Sequence, residues 1–251
     1  MILIALLLMV LSSQHARAAT DFSTFAYDQH PGAQLPLTVT FRDAGGHDVT
    51  LEQALANRPA ILALGYFHCP NLCGLVRDDL MHALSSLDAP ETYSLVVLSI
   101  DPSETPADAR AAQQADAARF EPVMDGHYLT GSAEAVRSIT DAVAFRSRFD
   151  AINKQLLHPA GLVFLSRTGV VSSYLLGLGY QPSDVGLGIT RAGNGVTARA
   201  LPILLLCFHY DPTTGRYTLA ILRVLQLGAA ITVVVVAGTV VLALRRERRP
   251  Q

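Results

Sequence analysis

The sequence predicts an α/β fold in which helices pack on a central sheet. Strand-like apolar runs alternate with helix-like stretches between residues 61 and 119, and a further helix, a hairpin and a last helix follow. The run Leu95-Val96-Val97-Leu98 is apolar at every position, which is typical of a strand covered on both faces. This order of elements favours layers of helices around one sheet.

The individual elements follow from local patterns. Residues 20–36 show no regular period and contain Pro31-Gly32, so they are predicted to be an irregular arm. A two-residue alternation over 37–41, then Gly45-Gly46 and a second short run at 49–51, predict a hairpin. The remaining predicted elements are a helical turn at 52–56, a strand at 61–67, a helix at 72–87, a strand at 95–100, helices at 106–119 and 132–142, strands at 162–165 and 170–175, and a helix at 182–189.

Residues 1–18 are predicted to be a signal peptide. Their apolar run of eleven residues ends at Leu11, and Ala16-Arg17-Ala18 matches an A-x-A cleavage site. The run is too short for a membrane-spanning helix, which needs about 20 apolar residues. We therefore expect the mature body to be exported.

A second apolar segment, 224–244, is predicted to be a C-terminal transmembrane helix. Its 21 residues carry no charge, and at about 1.5 Å per residue they cover the roughly 30 Å hydrocarbon core. A buried core helix is the alternative, although such helices rarely reach this length. The basic tail at 245–251 favours a cytoplasmic C-terminus. The domain at 19–195 and the juxtamembrane segment at 196–223 then lie on the periplasmic side of a bacterial inner membrane.

The charge distribution argues against nucleic acid as a partner. The formal net charge is −2, and the segment 245–249, with four Arg and one Glu, contributes +3, which leaves −5 for residues 1–244. A clustered basic face is lacking, whereas nucleic-acid-binding proteins carry one. One domain with one core fits the length that remains after the terminal segments are removed.

The segment Cys69-Pro70-Asn71-Leu72-Cys73 predicts a chemical site. Two cysteines four residues apart lie one above the other if the turn is helical, so both sulfurs can reach one metal ion or each other. The pair lies between a predicted strand and a predicted helix, whose N-terminal N–H groups favour the thiolate. Thiolates bind soft metals and attack disulfides. A structural disulfide is the alternative, but so short a loop constrains the chain little.

A histidine just before the predicted strand 162–165 extends this pattern. His158 lies 85 residues beyond Cys73. The other matching motifs are Gly65-Tyr66-Phe67-His68-Cys69-Pro70, Ser99-Ile100-Asp101-Pro102 with Glu104-Thr105-Pro106, and the hairpin after His158. With these motifs, residues 35–190 resemble the Sco/SenC family of membrane-anchored copper proteins.

The resemblance implies a thioredoxin-like fold with a central mixed sheet, in a branch of the family with one C-terminal transmembrane helix. It also implies that Cys69, Cys73 and His158 bind one copper ion, which is delivered to the binuclear copper site of cytochrome c oxidase. The partners would be the copper-bearing subunit of that oxidase and, through the C-terminal helix, the membrane. Many members have an acidic residue before the histidine, where this chain has Leu157, so any tuning by that carboxylate is absent.

Two further functional hypotheses stay open at this point. In a thiol–disulfide oxidoreductase, Cys69 and Cys73 would form a redox pair that reduces the cysteines of the oxidase copper site. In a copper or redox sensor, the oxidation state of the same pair would control contact with a partner. His158 separates the first two hypotheses, because a copper carrier needs it as a ligand and a reductase does not.

The remaining candidate residues have weaker signals. His68 adjoins Cys69, and since strand neighbours point to opposite faces it is predicted to be a packing or pKa-tuning residue. Cys207 and His209 form a Cys-x-His pair that could be an auxiliary copper site, although a buried apolar thiol is the more common case. Asp101 is predicted to stabilise a turn before Pro102.

Overall fold

The computed structural model describes residues 26–68, 73–87, 92–120, 126–151 and 154–199, together with 210–211, 216–217, 232 and 236. The helices are α1 Leu51–Leu55, α2 Cys73–Ser85, α3 Pro106–Ala117, α4 Ala133–Ala142 and α5 Pro182–Gly193. The strands are β1 Ala26–Tyr27, β2 Thr40–Arg42, β3 Asp48–Thr50, β4 Ala60–Gly65, β5 Ser94–Ser99, β6 His127–Leu129, β7 Phe145–Arg146, β8 Arg148–Asp150, β9 Gln155–Leu157, β10 Gly161–Leu165, β11 Val171–Leu176, β12 Tyr210–Asp211 and β13 Arg216–Tyr217.

A five-stranded mixed sheet forms the centre of the domain. The strand order is β11-β10-β4-β5-β6. Strands β4, β5 and β6 run parallel to one another, whereas β10 runs antiparallel to both β4 and β11. This arrangement confirms the predicted α/β fold with a central mixed sheet.

Two apolar layers cover the sheet, one on each face. Along β4, Ile61 and Ala63 pack with α2, α3 and α5, while Leu62 and Leu64 pack on the opposite face with α1 and α4. Strand β5 alternates in the same way, so the continuous apolar runs in the sequence are explained by burial on both sides. The parallel strands in the middle of the sheet are therefore covered on both faces.

Close packing explains a glycine in α5. A Cβ at Gly188 would lie 2.4 Å from Cζ of Phe164 on β10, so only glycine allows the helix to approach the strand this closely. Before this helix, Gly177 and Gly179 have φ values of 96° and 76°, so they form a turn that other residues rarely adopt.

The predicted elements agree with the structure where their patterns are long. The hairpin predicted over 37–51 is formed by β2 and β3, which pair Phe41 with Val49. The prediction missed β6 and the short strands between residues 145 and 157. These strands have two or three residues each, which is too short for a two-residue period to be recognised.

The two predicted terminal segments lie outside the described residues. The signal peptide at 1–18 does so entirely, and the anchor at 224–244 does so except for Thr232 and Val236. Among the described residues, no helix combines the length and the apolar character needed to cross a membrane.

Candidate functional site

The candidate site lies at the edge of the sheet where the parallel strands end. Strand β4 ends at Gly65, and α2 begins at Cys73, so the cysteine segment connects this strand to this helix. Cys69 lies outside the described residues, as does the side chain of Cys73. In open α/β sheets the carboxyl ends of the strands are the usual place for ligand sites.

Strand pairing brings His158 to the same edge. Strand β10 runs antiparallel to β4, with Leu162 opposite Ala63, so the residues before β10 lie beside those that follow β4. The imidazole is half-buried between two aromatic rings: its centroid is 5.8 Å from that of Tyr66 and 6.0 Å from that of Phe145. The histidine side chain is therefore held by packing next to the strand that leads to the cysteines.

The surroundings of His158 favour its neutral form. Burial lowers the pKa of His158, and the contact with the Pro159 carbonyl opposes this only in part. Nδ1 lies 3.1 Å from the Pro159 oxygen, and since a carbonyl only accepts, Nδ1 carries the proton. The lone pair of the neutral ring is then on Nε2. A neutral imidazole oriented through its other nitrogen is the form that binds metal ions, so the residue present suits a copper ligand.

Tyr66 directly follows β4 and contacts both His158 and strand β9. Its side chain is buried, its ring contacts His158, and its hydroxyl contacts the backbone of Leu156 on β9. Burial, helped by the negative charges of Asp101 and Glu104, raises the pKa of Tyr66, so the phenol stays protonated at neutral pH.

A buried carboxylate holds the backbone that leads into the cysteine segment. Glu104 Oε2 accepts a hydrogen bond from Phe67 N–H at 2.8 Å, and Oε1 accepts one from His68 N–H at 2.7 Å. The Ser99 hydroxyl donates a third, at 2.6 Å to Oε2. Only 3% of the Glu104 side chain is exposed. The carboxylate thus accepts the two backbone hydrogen bonds that a neighbouring strand would otherwise accept from the two residues before Cys69.

The side chain of His68 lies outside the core. It is 70% exposed, with Nδ1 3.3 Å from Glu104 Oε1 and Nε2 3.4 Å from Asp108 Oδ1. The prediction that His68 could be a packing residue is therefore wrong. The reason is that the regular strand ends at Gly65, so the alternation of faces does not extend to residue 68.

Asp101 has the predicted structural role. Its Oδ1 accepts hydrogen bonds from the N–H and the hydroxyl of Ser103, at 2.9 and 2.6 Å, and so closes the turn around Pro102. Cys207 and His209 lie outside the described residues. Within the described ranges, no cluster of three or more His, Cys, Asp or Glu side chains could hold a metal ion.

Sequence reasoning missed the roles of Tyr66, Glu104 and Phe145. Glu104 could have been recognised, because an acidic side chain just after a buried parallel strand lies at the ligand-binding edge of the sheet. Phe145 carries no such signal, since the turn that brings it to His158 depends on tertiary packing.

Comparison with known proteins identifies the family. The SCO1/SenC family model matches residues 30–178, more than half of the chain. No curated protein sequence matches the chain in a direct comparison.

Solved structures share the fold at low sequence identity. A protein from Aquifex aeolicus VF5 has a TM-score of 0.59 at 22% identity, covering 66% of this chain and 95% of its own. A SCO1/SenC family lipoprotein from Bacillus anthracis has a TM-score of 0.56 at 17% identity, covering 66% and 99%. Arabidopsis thaliana ScoI, solved with copper bound, has a TM-score of 0.53 at 18% identity, covering 66% and 99%. The matched family model and this shared thioredoxin-like fold lead to one conclusion: the chain belongs to the SCO1/SenC family.

Proposed function

We propose that this protein is a copper metallochaperone that binds one copper ion through Cys69, Cys73 and His158. The observation that carries the proposal is the position of His158, whose imidazole packs against Tyr66 and Phe145 at the edge of the sheet where the cysteine segment connects β4 to α2. Burial there lowers the pKa of His158, which favours the neutral ring. A neutral nitrogen donor combined with the two thiols of the cysteine segment would suit copper, whereas a purely structural disulfide needs no such donor.

The chemistry of the three ligands supports copper as the cargo. Two thiolates prefer Cu(I), and the added imidazole allows Cu(II) as well. Cys73 is the first residue of α2, where the unpaired N–H groups of the first turn stabilise a thiolate. Glu104 and the aromatic contacts of His158 fix the two segments that carry the ligands.

The family indicates the recipient of the copper. We propose delivery to the binuclear copper site of cytochrome c oxidase, on the copper-bearing subunit. The proposed location follows from the sequence: a signal peptide at 1–18 exports the body, and a helix at 224–244 anchors it to a bacterial inner membrane with the copper site in the periplasm.

Copper binding by the reduced full-length protein tests the proposal. The dissociation constant for Cu(I) is measured by competition with a chelator for the wild type and for Cys69→Ser, Cys73→Ser and His158→Ala. We expect one copper per chain in the wild type and an affinity at least about tenfold lower in each variant. His82→Ala, an exposed histidine on α2, is the control and should bind as the wild type does. Wild-type affinity in the His158 variant would exclude the three-ligand site.

A second function, thiol–disulfide exchange, is favoured by the position of Cys73 at the start of a helix. In that case one cysteine attacks a disulfide of the oxidase copper site and the other resolves the mixed disulfide, so that two electrons and two protons pass to the substrate. His158→Ala would then keep most of the exchange rate with a model disulfide, while either cysteine variant would lose it. If His158→Ala lost copper binding but kept the exchange rate, His158 would be needed for copper binding alone, and the two cysteines would serve both activities.

A further inference from the structure

A buried polar network joins α2 to α3 and β6. Arg77 Nε donates to Asp116 Oδ2 at 2.9 Å, and the Tyr128 hydroxyl donates to the same oxygen at 2.7 Å. The side chains of Arg77 and Asp116 are 14% and 3% exposed. The network joins α2, α3 and β6, because each element contributes one of the three residues.

Phe67 connects this network to the cysteine segment. Its ring centroid is 6.0 Å from Cζ of Arg77 and 6.2 Å from the ring centroid of Tyr128. Its N–H is held by Glu104, so both its backbone and its side chain are fixed. Phe67 lies two residues before Cys69, and Arg77 lies one helical turn after Cys73. The network therefore contacts the chain on both sides of the cysteine pair.

Stability alone does not account for these residues. A buried ion pair is usually no better for stability than apolar side chains of the same size. Asp116 Oδ1 is also buried without a hydrogen-bond partner among the described residues, and such an atom is costly. Burial and the neighbouring Asp116 carboxylate raise the pKa of Tyr128, so its hydroxyl stays a donor and the network keeps one arrangement.

We propose that Arg77, Asp116 and Tyr128 are positioning residues that hold Phe67 and the first turns of α2, and that they thereby tune the copper affinity and the redox equilibrium of Cys69 and Cys73. The inference rests on the proposed function, since it concerns the geometry of the same two thiols. The charges of Arg77 and Asp116 cancel. The network therefore affects the two thiols by positioning the backbone on either side of them, and not by its charge. Its loss changes both the affinity of the pair for Cu(I) and the ease with which the two thiols form a disulfide.

A charge-neutral replacement tests this inference in the full-length protein. The variant Arg77→Met/Asp116→Leu removes the ion pair without leaving a buried charge. The comparison variant is Arg119→Met/Asp78→Leu, because Asp78 adjoins Arg77 on α2 and pairs with Arg119 just after α3, while Arg119 contacts the ring of Phe120. Asp78 Oδ1, like Asp116 Oδ1, is buried without a hydrogen-bond partner among the described residues, so the two variants are matched in that respect. The thermal midpoint, the Cu(I) dissociation constant and the equilibrium with oxidised glutathione are measured for both. In that equilibrium the two thiols lose two electrons and two protons to form their disulfide, and glutathione disulfide becomes two glutathione thiols.

We expect the test variant to remain folded with a lower midpoint, because the buried Tyr128 hydroxyl loses its acceptor. It should bind Cu(I) about tenfold more weakly and shift the glutathione equilibrium constant about tenfold, with both constants of the control within about twofold of wild type. Wild-type values for both constants in a folded test variant would overturn the inference. A wild type that does not bind copper would instead overturn the proposed function, and the glutathione equilibrium would still decide the inference.

A single substitution covers the case in which the double variant does not fold. Phe67→Leu leaves the ion pair intact but removes the ring that connects it to the cysteine segment. We expect the same direction of change in both constants. If Phe67→Leu has the wild-type Cu(I) dissociation constant and the wild-type glutathione equilibrium constant, the network does not affect the cysteines through Phe67, and the inference is wrong.

Discussion

His158 and the segment Phe67–His68 lie at the same edge of the sheet, but the fold holds them in different ways. His158 is held by aromatic rings and burial, and its Nδ1 donates to the adjacent Pro159 carbonyl. The segment 67–68 is held by a buried carboxylate that accepts both of its N–H groups. One side of the site is therefore organised by packing, and the other by hydrogen bonds to a charge.

The difference follows from the group that each side contributes to the site. A nitrogen ligand must be neutral, and burial favours that form because it penalises the charged imidazolium. The cysteine segment needs a fixed backbone instead, and hydrogen bonds to a charged acceptor hold a backbone more strongly than neutral ones do. This comparison predicts that removing the carboxylate on the hydrogen-bonded side costs more stability than reducing an aromatic ring on the packed side.

The largest effect is expected for Glu104→Ala. The change leaves the N–H groups of Phe67 and His68 and the Ser99 hydroxyl without their acceptor, which should lower the free energy of unfolding by about 3 kcal/mol. Urea unfolding measures the loss. Glu134→Ala on α4 is the control, because that side chain is exposed and should change stability by less than about 0.5 kcal/mol. Equal effects of the two substitutions would contradict the anchoring role of Glu104.

On the packed side, Phe145→Leu should cost about half as much, about 1.5 kcal/mol. Phe145 is buried, and its ring contacts both His158 and Tyr27. The smaller side chain lets water reach the imidazole, so the pKa of His158 should move up toward its ordinary value. NMR titration of the His158 ring measures this shift. An unchanged titration in the folded variant would mean that Phe145 does not contribute to the burial of His158.

Sequence reasoning predicted the parts of the site that depend on local pattern. The strand before Cys69 and the helix after Cys73 were visible in long apolar and helical runs, and a position for His158 before a strand followed from the hairpin. In the sequence, Glu104 was recognised only as part of the motif Glu104-Thr105-Pro106, without a role of its own. Its role depends on how β5 and α3 bring it under residues 67 and 68, which is a tertiary contact.

The Arg77–Asp116–Tyr128 network lies beyond sequence reasoning for a related reason. Its members come from three separate elements, and Tyr128 belongs to β6, a strand of three residues that local pattern does not reveal. Without that strand, Asp116 would be interpreted as a solvent-facing residue of α3. The structure instead buries it against both partners.

The third prediction concerns pH and the packed side. Burial lowers the pKa of His158 in the folded protein below the ordinary value of 6.5. Between those two pKa values the unfolded chain binds more protons than the folded one, so the free energy of unfolding rises with pH and falls as the solution is acidified below 6.5. One histidine gives a slope of at most about 1.4 kcal/mol per pH unit.

Urea unfolding of the metal-free protein at pH 5.5 and pH 7.5, about one unit on either side of the ordinary pKa, tests this slope. His158→Gln should reduce the difference between the two pH values, because the group that takes up the proton on unfolding is gone. His82→Gln on the exposed face of α2 serves as the matched control and should leave the difference unchanged. If His158→Gln has the same pH dependence as the wild type, burial does not hold that imidazole neutral.

The smallest effect is expected for His68→Gln, although His68 contacts the same carboxylate that gives the largest one. Its ring is 70% exposed beside Glu104 and Asp108, and contacts of exposed side chains contribute little, so the free energy of unfolding should change by less than about 0.5 kcal/mol. The pKa of Asp108 should rise only slightly, because the Thr105 hydroxyl and N–H are the main causes of its lowering. Urea unfolding and NMR titration of Asp108 measure both effects. A loss as large as that of Glu104→Ala would mean that Glu104 acts through the imidazole, whereas a small loss assigns its anchoring role to the backbone N–H groups.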